Sequence, residues 1–269
     1  MVSQQPSPAS PSQATAMNRV RQLLAPDVVA QPVDGYLDTL AAEQMPAPIR
    51  VQSLWQSGVG SGLWQKIQPV MASRLVADYQ TTAQQLQLKP GQTVVDVGCG
   101  PGNVTMALAD AVAPDGLAVG LDVSAPMLQR AAGQARPTMG LVRASAESLP
   151  LREAVADAAC ATAVIMLVPD PARALAEMTR ILKPGGWLLV MATCQPVGLT
   201  APLTRPLTTL LGRLAGARMF GPDDIPAILD GLGCDRIHSH VQGPMVVVRA
   251  RRGPSAAGSA IPAAAAPPE

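Results

Sequence analysis

The residues best placed by type and spacing to do chemistry are three closely set glycines behind one carboxylate, and a second aspartate further along. The first group is Val94-Val95-Asp96-Val97-Gly98-Cys99-Gly100-Pro101-Gly102-Asn103, and the second ends an apolar run at Asp122. Glycines between a β-branched run and a helix-forming segment permit positive φ and let a ligand approach the main chain closely. The helix expected after them presents unpaired N–H groups, which suit negative or polar ligand atoms. The spacing is G-x-G-x-G. The dinucleotide fingerprint, G-x-G-x-x-G, is one residue longer, which makes a nicotinamide oxidoreductase the weaker reading. Asp122 also has a plain reading, as a loop aspartate capping a helix that starts near Ser124.

Other reactive side chains are sparse. The two histidines, His238 and His240, sit two apart on a strand candidate and face one side. Either is a candidate general base, against the alternative of an exposed strand near the domain edge. Cys194 follows an apolar strand candidate, at the edge where parallel sheets bind ligands, although a free cysteine usually packs as a small hydrophobe. Arg249, Arg251 and Arg252 read as a solvated strand end. The four cysteines, at 99, 160, 194 and 234, have no paired spacing. They form neither a disulfide framework nor a zinc signature, so no metal is expected and the thiols read as free, in a reducing compartment.

Composition excludes several partners. A net charge of +1 with 14% charged residues supplies no basic field for nucleic acid or anionic lipid. Three Trp, two Tyr and one Phe leave few platforms on which bases could stack. The start, MVSQQPSPAS, lacks the charged and apolar regions of a secretory signal. The longest apolar run, Cys160 to Val168, is far below the roughly 18–20 residues of a membrane-spanning helix. A soluble cytoplasmic protein is expected. At 269 residues and 48% hydrophobic, the chain can bury an aliphatic core.

The elements that must position these residues alternate from residue 92 onward. Strands are expected at Thr93–Val97, Leu117–Leu121, Leu141–Arg143, Ala158–Ile165 and Trp187–Ala192. Helices are expected at Asn103–Val112, Ala125–Gln134 and Ala172–Leu182. This βαβαβ rhythm predicts an α/β fold with a parallel sheet and helices on both faces. Leu203–Leu214 and Asp223–Leu232 read as helices. Asp235–His240 and Met245–Arg251, joined across Gln242-Gly243-Pro244, read as an antiparallel pair. One antiparallel strand is therefore expected near the end of the sheet. Residues 1–16 and 253–269, rich in Pro, Ala, Ser and Gln, read as disordered tails. Residues 17–85 are expected to form a helical N-terminal cap and residues 86–252 the ligand-binding domain.

Four blocks in order and spacing resemble the class I S-adenosylmethionine-dependent methyltransferases, in particular the small-molecule branch of ubiquinone and menaquinone biosynthesis. They are VVDVGCGPGN; Gly120-Leu121-Asp122-Val123-Ser124 followed by Met127-Leu128; Ala146-Glu147-Ser148-Leu149-Pro150; and Asp170-Pro171 followed by Leu182-Lys183-Pro184-Gly185-Gly186. The resemblance covers roughly residues 70–250. It implies a Rossmann-like three-layer sandwich with seven mostly parallel strands and S-adenosyl-L-methionine as cofactor. Asp96 and the backbone of Gly98, Cys99 and Gly100 would hold the methionine moiety, and Gly102 would permit the close turn. Asp122 would accept the ribose hydroxyls, and Val123 and Met127 would pack on the adenine. Ser145 and Ala146 would read the adenine edge, and Thr162 would lie near the sulfonium. The implied activity is methyl transfer to a small acceptor at O, C or N.

The sequence departs from the family around the base and the acceptor. Ala144-Ser145 stands where Gly-Asp is usual, which replaces a charged contact to the adenine by a hydroxyl. Leu151, Ala156 and Ala163 stand where aromatics are common, and Ala163-Val164-Ile165-Met166-Leu167 lacks the family's polar groups. An apolar acceptor fits this wall: quinone-like, polyketide or lipid-derived. A non-catalytic protein of the same fold, binding cofactor or a partner, is the alternative. Tyr36, Trp55, Trp64 and Tyr79 precede the glycine motif. They are read either as lid residues lining the acceptor pocket or as staples holding helices to the domain. The loop at residues 56–62, Gln-Ser-Gly-Val-Gly-Ser-Gly, is a candidate hinge for such a lid.

Overall fold

The β-branched run Thr93–Val97 forms the central strand of one nine-stranded sheet, and every other element is placed relative to it. The computed structural model describes residues 11–40, 79–198, 206, 210, 212 and 217–254. In chain order the strands are β1 Gln31–Val33, β2 Tyr36–Asp38, β3 Thr93–Val97, β4 Leu117–Asp122 and β5 Met139–Arg143. They continue with β6 Ala156–Thr162, β7 Leu182–Thr193, β8 Cys234–Gln242 and β9 Met245–Arg252. The helices are α1 Pro11–Leu23, α2 Tyr79–Gln85, α3 Asn103–Val112, α4 Ala125–Ala132, α5 Pro171–Ile181 and α6 Asp224–Gly231, with a 3-10 turn at Ile165–Leu167.

The spatial order is β1-β2-β5-β4-β3-β6-β7-β9-β8. Strands β2 to β7 run parallel, and β9 inserts antiparallel between β7 and β8, as the short turn at residues 243–244 requires. The core strands are mostly apolar because both faces are covered. One face packs Ala16 and Val20 of α1, Leu175 and Met178 of α5, and Ile225 and Leu229 of α6. The other packs Leu86 just after α2, Leu108 and Val112 of α3, and Leu128 of α4. This is the expected Rossmann-like three-layer sandwich.

Several expectations need correction. The sheet has nine strands rather than seven, because the hairpin β1–β2 adds itself beside β5. Its turn, Asp34-Gly35, has positive φ at both residues (39° and 87°), the pairing that a two-residue hairpin demands. The segment expected as a helical cap thus contributes two strands. Helix α1 begins at Pro11, inside the segment expected as a tail, because Ala16 and Val20 are fully buried on the sheet. Gly140 lets α1 approach: a Cβ there would strike the Val20 side chain. Arg19 anchors the helix on the carbonyls of Gly116 (2.7 Å) and Asp115 (2.8 Å). Strand β6 ends at Thr162, short of the expected Ile165, because Ala163 turns to a positive φ of 58°. Among the described residues, no helix is long and apolar enough to cross a membrane. Trp55, Trp64 and the loop at 56–62 lie outside the described residues, as do the side chain of Tyr79 and most of the helix expected at Leu203–Leu214.

Candidate active site

Strand β3 delivers the chain into the glycine turn at the carboxyl end of the sheet. Gly98, Gly100 and Gly102 have φ of 73°, 53° and 87°, values that favour glycine. The turn is tied to the neighbouring strand. The N–H groups of Gly98 (2.7 Å) and Cys99 (3.0 Å) both donate to the carbonyl of Leu121, and the N–H of Gly100 donates to Asp122 Oδ2 (2.8 Å). The three N–H groups of the backbone expected to hold the methionine moiety bond to β4 in this structure. What the turn offers is room. A Cβ at Gly100 would meet nothing within 4 Å.

Asp122 ends β4, and each of its oxygens takes a neighbouring main-chain donor. Oδ2 receives Gly100, while Oδ1 receives the N–H of Ser124 (2.8 Å), the N-cap of α4. Each carboxylate oxygen keeps a further lone pair. Burial raises the pKa of Asp122, against the lowering effect of these N–H donors. The hydroxyl of Ser124, next but one in the chain, is buried and has no partner.

Asp96 occupies a different place from the one expected. Strand alternation turns it onto the face covered by α3, where it is 0% exposed. Oδ2 receives the Thr105 hydroxyl (2.6 Å) and Oδ1 the Cys160 thiol (3.5 Å). Through Thr105 it pins α3 to β3. Burial pushes its pKa up to about 6, and pushes the thiols of Cys99 and Cys160 up as well.

In front of the turn, Gly98, Asp122, Val123, Ser145, Ala146 and Val164 line a cavity of about 60 Å³. It opens beside a cleft of about 1040 Å³, with which it shares Ser145 and Glu147. The cleft is larger, but Gly98 and Asp122 line only the small cavity. Five of the expected site residues are thus brought together: Gly98, Asp122, Val123, Ser145 and Ala146. Met127 is not among the lining residues; it is buried on α4, with its sulfur 4.0 Å from the Arg130 guanidinium. Thr162 and Cys99 do not line it either. Val164, absent from the expected site residues, fills the space over Gly98. A Cβ on Gly98 would have Val164 Cγ1 2.8 Å away and Cβ and Cγ2 closer still.

The candidate bases lie elsewhere. His238 and His240 are exposed on β8, an edge strand four positions from β3. At about 4.8 Å per strand that is roughly 19 Å, beyond hydrogen-bond reach of the glycine turn. Cys194 is 3% exposed and sits in the core with α5 and α6. The arginines of β9 are not a solvated end. Arg252 is 2% exposed and donates to the carbonyls of Arg180 (2.9 Å) and Leu182, and to Glu153 (2.8 Å). Arg249 lies 3.6 Å over the Trp187 ring. Tyr36 is 3% exposed on β2, packed in the core as a staple of the hairpin.

The family description "Methyltransferase domain" matches residues 95–190, from β3 through most of β7. These residues match a methyltransferase domain. The chain is 35% identical over 130 residues to a demethylmenaquinone methyltransferase of Shouchella clausii, covering 47% of this chain and 54% of that protein. A 37.1 kDa uncharacterised protein of a Streptomyces fradiae transposon is 38% identical over 107 residues, 39% of this chain and 31% of that one. The chain thus spans about half, or less, of the curated relatives it matches. Among solved structures, a SAM-dependent methyltransferase of Aquifex aeolicus superposes with a TM-score of 0.57 at 20% identity, over 71% of this chain and 97% of that one. At this identity the likeness shows the fold.

The described residues fit the cofactor of this family. A carboxylate with spare lone pairs borders the cavity, the Gly100 cradle is open, and a buried hydroxyl beside Asp122 lacks a partner.

Proposed function

We propose that the protein transfers the methyl group of S-adenosylmethionine to a small apolar acceptor, quinone-like in shape. The observation that supports this reading is Asp122, a carboxylate that lines the cavity together with Gly98 and also accepts the N–H of Gly100, where the turn is open. The cofactor, when bound, supplies a methyl already activated by a positive sulfur. Asp122 would hold the ribose hydroxyls, two acceptor oxygens for two donors. Val123 would pack on the base, and Ser145 and Ala146 would border the base edge.

What remains for the protein is alignment and exclusion of water. Val164, Val168 and Pro169 supply an apolar wall to the cavity, with Val164 covering Gly98. The quinone-like acceptor is supported by this wall and by the name of the Shouchella clausii relative. Room for the cofactor requires the segment from Val164 to Pro169 to move off the turn, since a cavity of about 60 Å³ is below the ~300 Å³ at which ligand pockets begin. Movement of the Val164 side chain alone would uncover Gly98.

Calorimetric titration with S-adenosylmethionine tests the cofactor. Wild type is expected to bind, and Asp122→Ala to lose at least about tenfold in affinity, about 1.4 kcal/mol. Release of S-adenosylhomocysteine is then measured against quinols, phenols and fatty acids. Turnover of the quinols supports the acceptor class. Binding without turnover of any acceptor would favour a cofactor-binding protein that does not catalyse.

A further inference from the structure

The loop from Ala144 to Leu151 borders the cavity, yet its two polar side chains beside the cavity are turned onto main chain. Ser145 Oγ accepts the Glu147 N–H (3.3 Å), and Glu147 Oε1 accepts the Asp170 N–H (2.6 Å) at the start of α5. No carboxylate stands at position 145. Besides the O–H that Ser145 keeps, the polar groups left to read a base are those of the loop's own main chain.

That main chain is held from behind by one stripe of α5. Arg173 Nε donates to the carbonyl of Glu147 (2.9 Å). Glu177 Oε2 accepts the Leu149 N–H (2.7 Å). Arg180 donates to the carbonyls of Leu149 (3.1 Å) and Leu151 (2.8 Å). Positions 173, 177 and 180 follow the i, i+4, i+7 spacing that lines one helix face. Glu177 and Arg180 are also paired, with contacts of 2.7 and 2.8 Å, Glu177 largely shielded from solvent and Arg180 partly so. The pair holds the guanidinium charged, and Glu177 raises the Arg180 pKa further. Every contact of the stripe to the loop is to backbone, so it sets the path of the main chain and leaves the loop's side chains unconstrained. The Asp170 carboxylate caps the same helix through Arg173 N–H (3.0 Å), which fixes the end of α5 that carries the stripe.

We propose that Arg173, Glu177 and Arg180 are positioning residues that set the loop main chain to select adenine in the cofactor. The proposal rests on the S-adenosylmethionine reading. The adenine edge offers one acceptor, N1, and one donor, the 6-amino group, while a main chain offers N–H and C=O. Hypoxanthine reverses both base groups, so a correctly placed main chain rejects it. A site built around buried hydrogen bonds discriminates strongly, and loses that discrimination when its groups are misplaced by about 1 Å.

The test is a pair of affinities, for S-adenosylhomocysteine and for its inosine analogue, measured by calorimetry alongside the melting temperature. Wild type is expected to favour the adenine ligand by at least about tenfold (~1.4 kcal/mol). In Glu177→Ala that preference falls at least fivefold. In Glu177→Gln, which keeps an acceptor for the Leu149 N–H, most of it returns. Arg173→Gln removes a single contact near the exposed start of the helix, and gives a smaller fall in a variant that folds even if Glu177→Ala does not. A purely structural role would lower the melting temperature and weaken both ligands in parallel, leaving the preference unchanged. That result overturns the proposal alone, as does a wild type that binds both ligands equally. A wild type that binds neither overturns the cofactor reading and the proposal with it.

Discussion

Replacing Asp96 by asparagine isolates the one carboxyl group sealed between β3 and α3. The group is 0% exposed, and its pKa rises from 3.8 to about 6 because burial disfavours the charged form more than the Thr105 and Cys160 contacts favour it. The sign follows from proton counting. Below pH ~4 the group is protonated in both states and contributes nothing. Between pH ~4 and ~6 the unfolded chain has released the proton that the folded chain still holds, so stability falls as pH rises. Above pH ~6 the deficit is complete, about 3 kcal/mol for a rise of about two units at ~1.36 kcal/mol each. Asparagine does not ionise, and its Oδ1 can still receive the Thr105 hydroxyl. The stability of Asp96→Asn minus that of wild type should therefore grow with pH, by about 2 kcal/mol between pH 4.5 and 7.5. Urea denaturation at half-unit pH intervals measures it, and other groups titrate alike in both proteins. A difference that stays flat, or shrinks toward neutral pH, would refute the claim that burial governs this carboxyl.

The glycine turn supplies a paired prediction. Gly98→Ala forces a Cβ into Val164 at a φ of 73°, so cofactor binding should fall more than tenfold (~1.4 kcal/mol) and the melting temperature should drop; adding Val164→Ala should restore part of both. Gly100→Ala meets open space, so calorimetry should show lost affinity with a much smaller loss of stability, only the ~1 kcal/mol of a left-handed residue. Arg252→Ala removes a buried donor from the Leu182 carbonyl and leaves the Arg180 carbonyl with the Ala154 N–H; a loss of about 2–3 kcal/mol is expected in urea denaturation, and a loss under ~1 kcal/mol would contradict the buried role assigned to this side chain.

The parts of the fold readable in advance are those written by neighbours in the chain. Thr93–Val97 and Asn103–Val112 fall where the β-branched run and the helical composition place them, because strand and helix preferences act within a few residues. The turn at Gln242-Gly243-Pro244 dictates the antiparallel strand β9 for the same reason. The hairpin β1–β2 was legible in principle from Asp34-Gly35, but three-residue strands are too short to show alternation. The charged stripe of α5 was likewise visible as an i, i+4, i+7 pattern, although nothing local says what such a stripe will grip.

For the site, the sequence by itself determined the glycine turn, the aspartate at the end of the next strand and the loop that borders them, since each depends on backbone conformations encoded where they stand. Only the tertiary structure decided which groups face the cavity. It turned Asp96 behind the helix by the alternation of β3 and spent the turn's N–H groups on Leu121 and Asp122. It carried His238 and His240 to the far edge of the sheet and brought Arg173, Glu177 and Arg180 onto a loop 26 to 31 positions away. These outcomes depend on strand order and on which donors find buried acceptors first, and both are settled by packing the whole sheet, which no short stretch of the chain contains.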